Sequence, residues 1–409
     1  MTPAARPLGG DRNLAFVVTA RFVSRLGGTA VWFIGTWGTA AYVFKATAGE
    51  LAAMSAVNGV AAIIGSLVAG VLIDRLGPRK VMIGAELGSI PPVLAMMVAP
   101  SFPIFVLCSA WFSMFGVPTF TAGASFAPYL YSTRHELERA NAFIEGGSSL
   151  GFVLGPAVGA FVSKAYGMRP VFWVMVVASV VAAVSAWFTR IDETPHEHAS
   201  GDTWNNFIDG LRVAYTTRSI RFAILMGTIV WFGFGAFSAL ETLFYRDVVG
   251  VGVEWFGWMN TALGVGLIFG AALLPRLPDK VVSARGLGVF TALVGVGIFL
   301  YVGSTNLRFI AVGAFFLGAF LGALEPLLRT LLHIDSPHEY VGRVVGTAQW
   351  HRSAGELLPL AFVPALAAVI GIQQTLLAGG VVVVLAALAG LRSAGRIDRA
   401  RDAGRNPAS

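Results

Sequence analysis

Twelve apolar segments, separated by short charged turns, constrain the fold of this chain more than any other feature of its sequence. Each contains about 20 residues or more, the length that an α-helix needs to cross the hydrocarbon core of a bilayer. Lipid offers the backbone no hydrogen-bond partners, so such segments are stable there only as helices. The sequence therefore predicts an all-α polytopic membrane protein. Its segments lie near 14–44, 48–73, 79–99, 102–126, 138–166, 169–189, 220–245, 254–275, 284–304, 307–333, 341–369 and 373–394.

The composition narrows the class of function. Of the 409 residues, 56% are hydrophobic and 12% are charged, against roughly 25% charged in soluble domains. The net charge of +7 lies in short loops between the apolar segments, so we expect it to set the topology and not to bind nucleic acid. We expect the lipid bilayer and a small-molecule substrate as partners, and a monomer. The sequence contains no metal-ligand spacing, phosphate-binding loop, or catalytic Cys/His or Ser/His arrangement. We therefore expect no metal, no cofactor and no enzymatic activity.

The positions of lysine and arginine predict the orientation of the chain. Of the 29 bases, five lie in loops on one side of the predicted membrane, four lie inside segments, and 20 lie on the side that both termini share. Cytoplasmic loops are enriched in positive charge. We therefore expect a multi-pass protein of the plasma or inner membrane with both termini in the cytoplasm.

The spacing of the segments predicts five parts. These are a cytoplasmic tail at 1–13, a six-helix bundle at 14–189, a cytoplasmic linker at 190–219, a second six-helix bundle at 220–394 and a cytoplasmic tail at 395–409. Apolar residues recur at helical spacing in the linker, namely Trp204, Phe207, Ile208, Leu211 and Tyr215. This pattern predicts an amphipathic helix along the membrane surface, either as a tether or as a regulatory element.

A charged turn, Gly70–Lys80, separates the second and third segments and has the sequence Gly-Val-Leu-Ile-Asp-Arg-Leu-Gly-Pro-Arg-Lys. It resembles the loop between helices 2 and 3 of major facilitator superfamily transporters, roughly G-x-L-A-D-R-x-G-R-K. The resemblance implies two six-helix bundles of the major facilitator fold, with substrate bound between them. It also implies a conformational latch formed by Gly70, Asp74, Arg75, Gly77, Arg79 and Lys80. The alternative is that the bases of this turn only fix the topology.

The second half of the chain contains a degenerate copy of this turn. Two hundred residues after Gly70, the stretch Gly270–Lys280 keeps the glycine, the proline and the lysine, but Leu274 stands where Asp74 would be. Such internal repeats are typical of secondary transporters. Any latch is therefore expected to be asymmetric and to depend on Asp74.

The fifth segment carries glycines at every fourth position. Gly151, Gly155 and Gly159 line one helical face, and Pro156 removes a backbone hydrogen bond and permits a bend. This run resembles the antiporter signature of drug-exporting facilitators, while 138–145 and 207–212 resemble the branch that holds macrolide and siderophore exporters. The resemblance implies that this helix seals or bends an export pathway. Helix packing alone is the alternative.

Charged residues inside the segments are the candidates for proton coupling or substrate binding, because an unpaired charge in the bilayer core costs a few kcal/mol or more. Three pairs stand four residues apart on one helical face. The candidates are Arg21, Arg25, Glu241, Glu325, Arg329, His351, Arg352 and Glu356. Glu86 is the weakest candidate, because the resemblance places the third helix at the periphery.

The leading prediction is a secondary active transporter that exports an amphiphilic small molecule against protons by alternating access. The proton gradient would be the driving force, since a buried glutamate beside an arginine can alternate between its neutral and ionised forms. The fourth segment lacks the arginine, and the first lacks the acid, that drug antiporters often have, so coupling needs a different site. One alternative is an importer, or a lipid or anionic-metabolite carrier, that binds through the arginines of the segments. A non-transporting receptor or assembly factor is another.

Replacing Asp74 by Asn tests the latch. We expect transport to fall while membrane insertion is retained, because the substitution removes the carboxylate charge and keeps the bases that set the topology. Substrate transport by cells expressing each form, normalised to the amount of protein in the membrane, measures the effect. Full activity of the Asp74→Asn protein would exclude the latch.

Overall fold

The computed structural model describes residues 11–191, 211–337 and 340–405, with side chains up to 401. Within these ranges every regular element is a helix. In the linker, residues 211–216 are helical. The rest of the predicted amphipathic helix, with Trp204, Phe207 and Ile208, lies outside the described residues, as does most of the tail at 1–13.

Membrane-length helices account for most of the described chain. Eleven are long and apolar enough to cross a membrane by themselves, and a bent pair brings the number in the described ranges to twelve. We number them α1 Arg12–Val43, α2 Ala48–Leu76, α3 Pro78–Val98, α4 Phe102–Ala124, α5 Arg134–Tyr166, α6 Arg169–Phe188, α7 Arg218–Val249, α8 Val253–Arg276, α9 Ala284–Val302, α10 Leu307–Asp335, α11 Val341–Ala361 with Val363–Ile370, and α12 Ile372–Arg405.

Helix α11 is bent by 47° between its two parts. Pro359 lies in the 3-10 turn Leu358–Ala361, and Pro364 lies at the start of the second part. Proline has no N–H and its ring collides with the preceding turn, so a straight helix cannot pass through both residues. The apolar pattern over 341–369 predicts one segment but not this bend.

The glycines of α5 bring it into contact with the backbone of α1. Gly147, Gly151, Gly155 and Gly159 face the carbonyl groups of Val18, Phe22, Leu26 and Ala30, in that order. Because the positions advance by four residues on both helices, α1 and α5 run parallel in a constant register. A methyl group on Gly159 would lie 3.1 Å from the Ala30 carbonyl oxygen, and one on Gly155 would overlap the Thr29 hydroxyl. Larger residues would push the two helices apart.

The first helix of each half ends in the same unusual way. Helix α1 changes from an α-helix, Arg12–Ala30, to a π-helix, Val31–Val43. Helix α7 changes from Arg218–Leu243 to a π-helix, Phe244–Val249. Because π-helical turns are rare, their presence at equivalent places agrees with an internal repeat.

Asp11 ties the start of α1 to the connection between α4 and α5. One carboxylate oxygen accepts a hydrogen bond from the Asn13 N–H at 2.8 Å, and the other accepts one from the Tyr131 hydroxyl at 2.7 Å. Burial, together with the hydrogen bond to Asp11, raises the pKa of Tyr131 well above its usual value. The phenol therefore remains a hydrogen-bond donor at any physiological pH.

Residues near the end of α12 hold the ends of two other helices. The Asp398 carboxylate accepts the backbone N–H groups of Ala284 and Arg285 at 2.8 and 3.0 Å, which caps the start of α9. Arg401 pairs with Asp335 at the end of α10, with 3.1 Å between Nη2 and Oδ1. The described part of the predicted tail at 395–409 is thus helical and packed.

The chain divides into two compact units, Met1–His198 with Val251–Thr261, and Ala199–Gly250 with Ala262–Ser409. The first turns of α8 belong to the first unit. There the Phe256 ring lies 5.7 Å from the Phe33 ring, and the Tyr42 hydroxyl donates to the Val251 carbonyl oxygen at 3.0 Å.

Replacing Gly155 by Ala tests the contact between α1 and α5. We expect a loss of about 1–3 kcal/mol in stability, because the methyl group overpacks a tight helix contact. The matched control is Gly146→Ala on the same helix, where an added Cβ meets no atom within 4 Å. The control should leave stability unchanged or slightly higher, since alanine is the better helix former. The midpoint of thermal aggregation of the detergent-solubilised protein measures both, and equal midpoints would contradict the contact.

Candidate functional site

Arg21 of α1 is held inside the first unit by groups from two other helices. Its side chain is 3% exposed. Nη1 donates to the Phe120 carbonyl oxygen of α4 at 2.9 Å, and Nη2 donates to Glu145 Oε1 of α5 at 3.4 Å. The Phe120 ring centre lies 4.6 Å from the guanidinium carbon. A buried charge is costly unless it is paired and hydrogen-bonded, and these contacts supply that pairing.

Gly123 makes room for Arg21 on α4. A Cβ at this position would overlap the Arg21 side chain, lying 3.0 Å from Nη1 and 3.1 Å from Nε. Helix α4 has no charged residue of its own. The structure therefore places an arginine against α4 after all, but α1 supplies it.

Arg25 lies one turn further along α1. Its guanidinium carbon lies 5.2 Å from the centre of the Phe120 ring and 5.0 Å from that of the Phe152 ring. Both distances are within the range of cation–π attraction. Arg21 and Arg25 thus share one aromatic face, as their four-residue spacing predicts.

Glu145, the partner of Arg21, is absent from the candidates that the sequence suggests. Its side chain is 55% exposed, whereas that of Arg21 is 3% exposed. The sequence signal for it is the glycine repeat of α5. That repeat decides which face of α5 meets α1, and Glu145 stands two residues before its first member, Gly147.

Glu86 of α3 is fully buried, at 0% exposure, and does not face the periphery as the sequence suggests. Neither of its carboxyl oxygens has a hydrogen bond of normal geometry. Its carboxyl group interacts with the polar side chains of Ser24 and Arg21 of α1 and of Ser179 of α6. The resemblance predicts the position of α3 in the bundle, but the burial of Glu86 depends on which way its side chain points from α3.

Glu325, Arg352 and Trp231 form a three-residue cluster in the second unit. Glu325 Oε1 accepts hydrogen bonds from Arg352 Nη1 at 3.3 Å and from Trp231 Nε1 at 3.1 Å. The Arg352 guanidinium carbon lies 3.7 Å from the centre of the Trp231 ring. Helices α10, α11 and α7 each contribute one residue. The cluster thus joins three helices through one carboxylate.

The structure pairs these residues differently from their sequence spacing. Glu325 and Arg329 are four residues apart on α10, but Arg329 is exposed and the ion-pair partner of Glu325 is Arg352 on α11. Glu356 accepts a hydrogen bond from Ser238 of α7 at 3.5 Å and interacts electrostatically with Arg352. Arg352 therefore stands between two carboxylates.

Both ring nitrogens of His351 make hydrogen bonds. Its Nδ1 lies 2.8 Å from the Thr347 carbonyl oxygen, which can only accept, so Nδ1 carries the proton and donates. Its Nε2 is hydrogen-bonded to the hydroxyl of Tyr215, which lies just before α7. The ring thus fastens the residues that precede α7 to α11.

Glu241 of α7 is bound by a chain of tyrosines. The Tyr245 hydroxyl donates to the Tyr301 hydroxyl at 2.8 Å, and the Tyr301 hydroxyl donates to Glu241 Oε1 at 2.5 Å. Both tyrosines are fully buried. The structure thus supplies Glu241 with a phenol as a hydrogen-bond donor.

The charged turn begins where α2 ends at Leu76. Gly77 has φ of +81°, a conformation that L side chains rarely adopt, and α3 begins at Pro78. Arg79 Nη2 donates to the Trp187 carbonyl oxygen of α6 at 2.6 Å. The side chains of Asp74, Arg75 and Lys80 are exposed, and a Cβ on Gly70 would meet no atom within 4 Å. The turn is thus joined to α6 through Arg79, and the latch stays a prediction.

Replacing Arg21 by Lys tests the cluster around Arg21. A single ammonium cannot bind Phe120, Glu145 and the aromatic ring together, so we expect a loss of about 1.5–3 kcal/mol, the range for hydrogen bonds to charged groups. The matched control is Arg134→Lys, whose exposed side chain pairs with Glu138 on the same helix and should not change stability. Thermal midpoints of the purified variants measure both. A stable Arg21→Lys protein would show that the fork of the guanidinium is not needed.

Comparison with known proteins places this geometry in a family. Residues 17–358 match the model of the Major Facilitator Superfamily. The curated multidrug resistance protein MdtG of Dickeya zeae (strain Ech586) is 25% identical over 296 residues, covering 70% of each chain. MdtG of Yersinia enterocolitica is 23% identical over 329 residues, covering 78% of this chain and 77% of that protein.

Solved structures show the same fold at low sequence identity. A peptide transporter POT in complex with sulfate has a TM-score of 0.75 at 14% identity, covering 97% of both chains. A bacterial homolog of the human lysosomal transporter Spinster, in an inward-facing and unoccupied conformation, has a TM-score of 0.69 at 13% identity, covering 95% of this chain and 97% of that one. The predicted fold class is confirmed. The chain belongs to the major facilitator superfamily and is a multi-pass transporter of the cell membrane, not an enzyme.

Proposed function

We propose that this protein is a proton-driven exporter of amphiphilic small molecules, such as drug-like compounds or secreted metabolites. It would work by alternating access, with both termini in the cytoplasm where most of its bases lie. The observation that carries the proposal is the cluster of Glu325, Arg352 and Trp231 in the second unit. It combines a carboxylate, a cation and an aromatic face inside helices of membrane length.

The direction of transport is inferred from relatives and from α5. The curated relatives that match this chain are named multidrug resistance proteins. We extend the export of drugs from these relatives to this chain as part of the proposal. The run of Gly151, Gly155, Pro156 and Gly159 on α5 supports it as a match to the signature of exporters.

The chemistry of coupling follows from the position of Glu325. Its carboxylate forms an ion pair with Arg352 and accepts a hydrogen bond from the Trp231 N–H. A movement of α10 against α7 and α11 that separates these groups would leave a carboxylate alone in the membrane, which is costly unless it takes up a proton. Proton uptake and helix movement are thereby linked. Arg352 also interacts with Glu356, so it can pair with Glu356 when Glu325 is neutral.

Trp231 gives the site a surface for an amphiphile. Its ring lies beside that of Phe234, with 5.8 Å between the ring centres. Phe237 lies one turn further along, 5.2 Å from Phe234. Aromatic faces bind both apolar groups and cations, which is the combination that an amphiphilic cation presents.

A carrier of anions is the second candidate. The observation that favours it is Arg25, which lies between two aromatic rings and makes no ion pair within the described residues. A peptide transporter of the same fold was crystallised with sulfate. On this alternative, anionic compounds would be taken up, and uptake would require Arg25.

Accumulation of a fluorescent lipophilic cation in cells that lack their own exporters tests the proposal. We expect the protein to lower accumulation and an uncoupler to abolish the difference. Glu325→Gln should remove the uncoupler-sensitive part, because the amide keeps the size of the side chain but cannot exchange a proton at that position. The matched control is Glu138→Gln, an exposed carboxylate paired with Arg134 on α5, which should export normally.

Three other results would contradict the proposal. Uptake in place of export would favour the carrier of anions. Export that survives the uncoupler would exclude the proton gradient as its driving force. A well-folded protein in the membrane that moves no compound in either direction would favour a non-transporting receptor or assembly factor.

A further inference from the structure

A buried carboxyl group in the first unit has no role in the site described for the second. Glu86 lies eight residues from the start of α3, about 12 Å along the helix axis, and no part of it is exposed. Both of its oxygens lack a hydrogen bond of normal geometry. An ionised carboxylate in such a place would be one of the most costly groups that a protein can bury. The neutral form, which carries a proton, avoids this cost.

The groups around Glu86 come from three helices. Ser24 of α1 and Ser179 of α6 act on the carboxyl. The Ser179 hydroxyl lies 3.2 Å from that of Ser89, which in turn donates to the Glu86 backbone carbonyl at 2.7 Å. These hydroxyls are all buried. They form a polar lining, but they supply no charge.

Arg21 is the charged side chain that acts on Glu86. Of the other helices packed on α3, α4 has no charge and one titratable thiol, Cys108, while α6 begins with Arg169. Helix α2 carries Glu50 in its first turn and Asp74 and Arg75 in its last, and α3 itself begins with Arg79 and Lys80. These groups stand at helix ends, away from the middle of α3.

Arg21 is positioned to serve two carboxyl groups. In the structure its Nη2 binds the half-exposed Glu145 and its Nη1 binds the Phe120 carbonyl oxygen. Its Nε is buried and has no hydrogen-bond partner. The guanidinium thus donates its hydrogen bonds to Glu145 and Phe120. Glu86 interacts with it electrostatically but receives none of these hydrogen bonds.

We propose that Glu86 is a proton-binding site of the first unit, which holds its proton while Arg21 binds Glu145 and releases it when Arg21 turns to Glu86. In the release step the O–H bond of Glu86 breaks and the proton passes to water. The negative charge left on Glu86 is neutralised by the Arg21 guanidinium, which stays protonated throughout. The proposal deepens the proposed function and rests on it for the coupling of this proton to transport.

Infrared difference spectra of the purified protein test the proton directly. Between acid and alkaline pH, the wild-type protein should lose the C=O band of a protonated carboxyl group in an apolar environment. Glu86→Gln should lack this band, and the control Glu138→Gln should retain it. Glu86→Gln should also be as stable as the wild type, since an amide replaces a neutral carboxyl. An unchanged band in Glu86→Gln, or a marked loss of stability, would overturn the proposal.

The Glu145→Gln variant tests the part played by Arg21. Without the charge of Glu145, the guanidinium is free to turn to Glu86, so the carboxyl band should disappear at a lower pH than in the wild type. A structural role for Glu145 alone would leave the pH dependence of the band unchanged. Such a result would overturn the exchange of Arg21 between the two carboxyl groups.

The transport assay separates this proposal from the proposed function. If an uncoupler abolishes export by the wild-type protein, it should have no effect on transport by Glu86→Gln. Retained coupling in Glu86→Gln would overturn the link to transport. If the wild-type protein exports nothing while the band behaves as described, the proposed function fails and the proton-binding site stands.

Discussion

The cost of placing a charge inside a membrane shapes every site in this protein. Such a charge is costly unless another group pairs with it or a proton neutralises it. The charged side chains of the two units lie in different surroundings. Arg352 and Glu325 pair with each other, Glu145 keeps half of its side chain exposed while it binds Arg21, and Glu86 is buried without a hydrogen-bond partner of normal geometry.

Close helix contacts are what make these pairings possible. The glycine repeat of α5 brings it against the backbone of α1, which places Glu145 within reach of Arg21. Gly123 of α4 has no side chain, which leaves the space that Arg21 of α1 occupies. In the second unit, Gly355 of α11 faces the Thr228 carbonyl oxygen of α7 at a distance that a larger residue would not permit. Small residues thus set the distances at which the charged groups act.

Much of the fold could be predicted from the sequence, because each membrane helix is specified by its own local composition. The first eleven apolar segments correspond to the helices within a few residues, and the charged turn at Gly77 is a helix boundary. The twelfth helix continues past the predicted end at 394 to Arg405. The bend of α11 depends on Pro359 and Pro364, which hydropathy does not detect. The π-helical ends of α1 and α7 depend on hydrogen-bond register, for which the sequence offers no simple signal.

The candidate sites were less predictable, because they depend on contacts between helices. Spacing along one helix suggests a pair of Glu325 and Arg329, but the structure pairs Glu325 with Arg352 of another helix. Glu86 can be identified in the sequence as an acidic residue of a membrane segment, but only the structure shows that its side chain is buried. The sequence also does not indicate that Glu145 of α5 is the partner of Arg21 of α1, because the two residues lie on different helices.

The central claim is that the protein exchanges protons for substrate through carboxyl groups inside its helices. Reconstitution into vesicles with an acidic lumen and a pH-sensitive dye inside tests it most directly. The account predicts that adding a lipophilic cation outside makes the lumen more alkaline, and that vesicles without the protein show no such change. Entry of the cation at the same rate with and without the pH gradient, and no change in the dye signal, would contradict it.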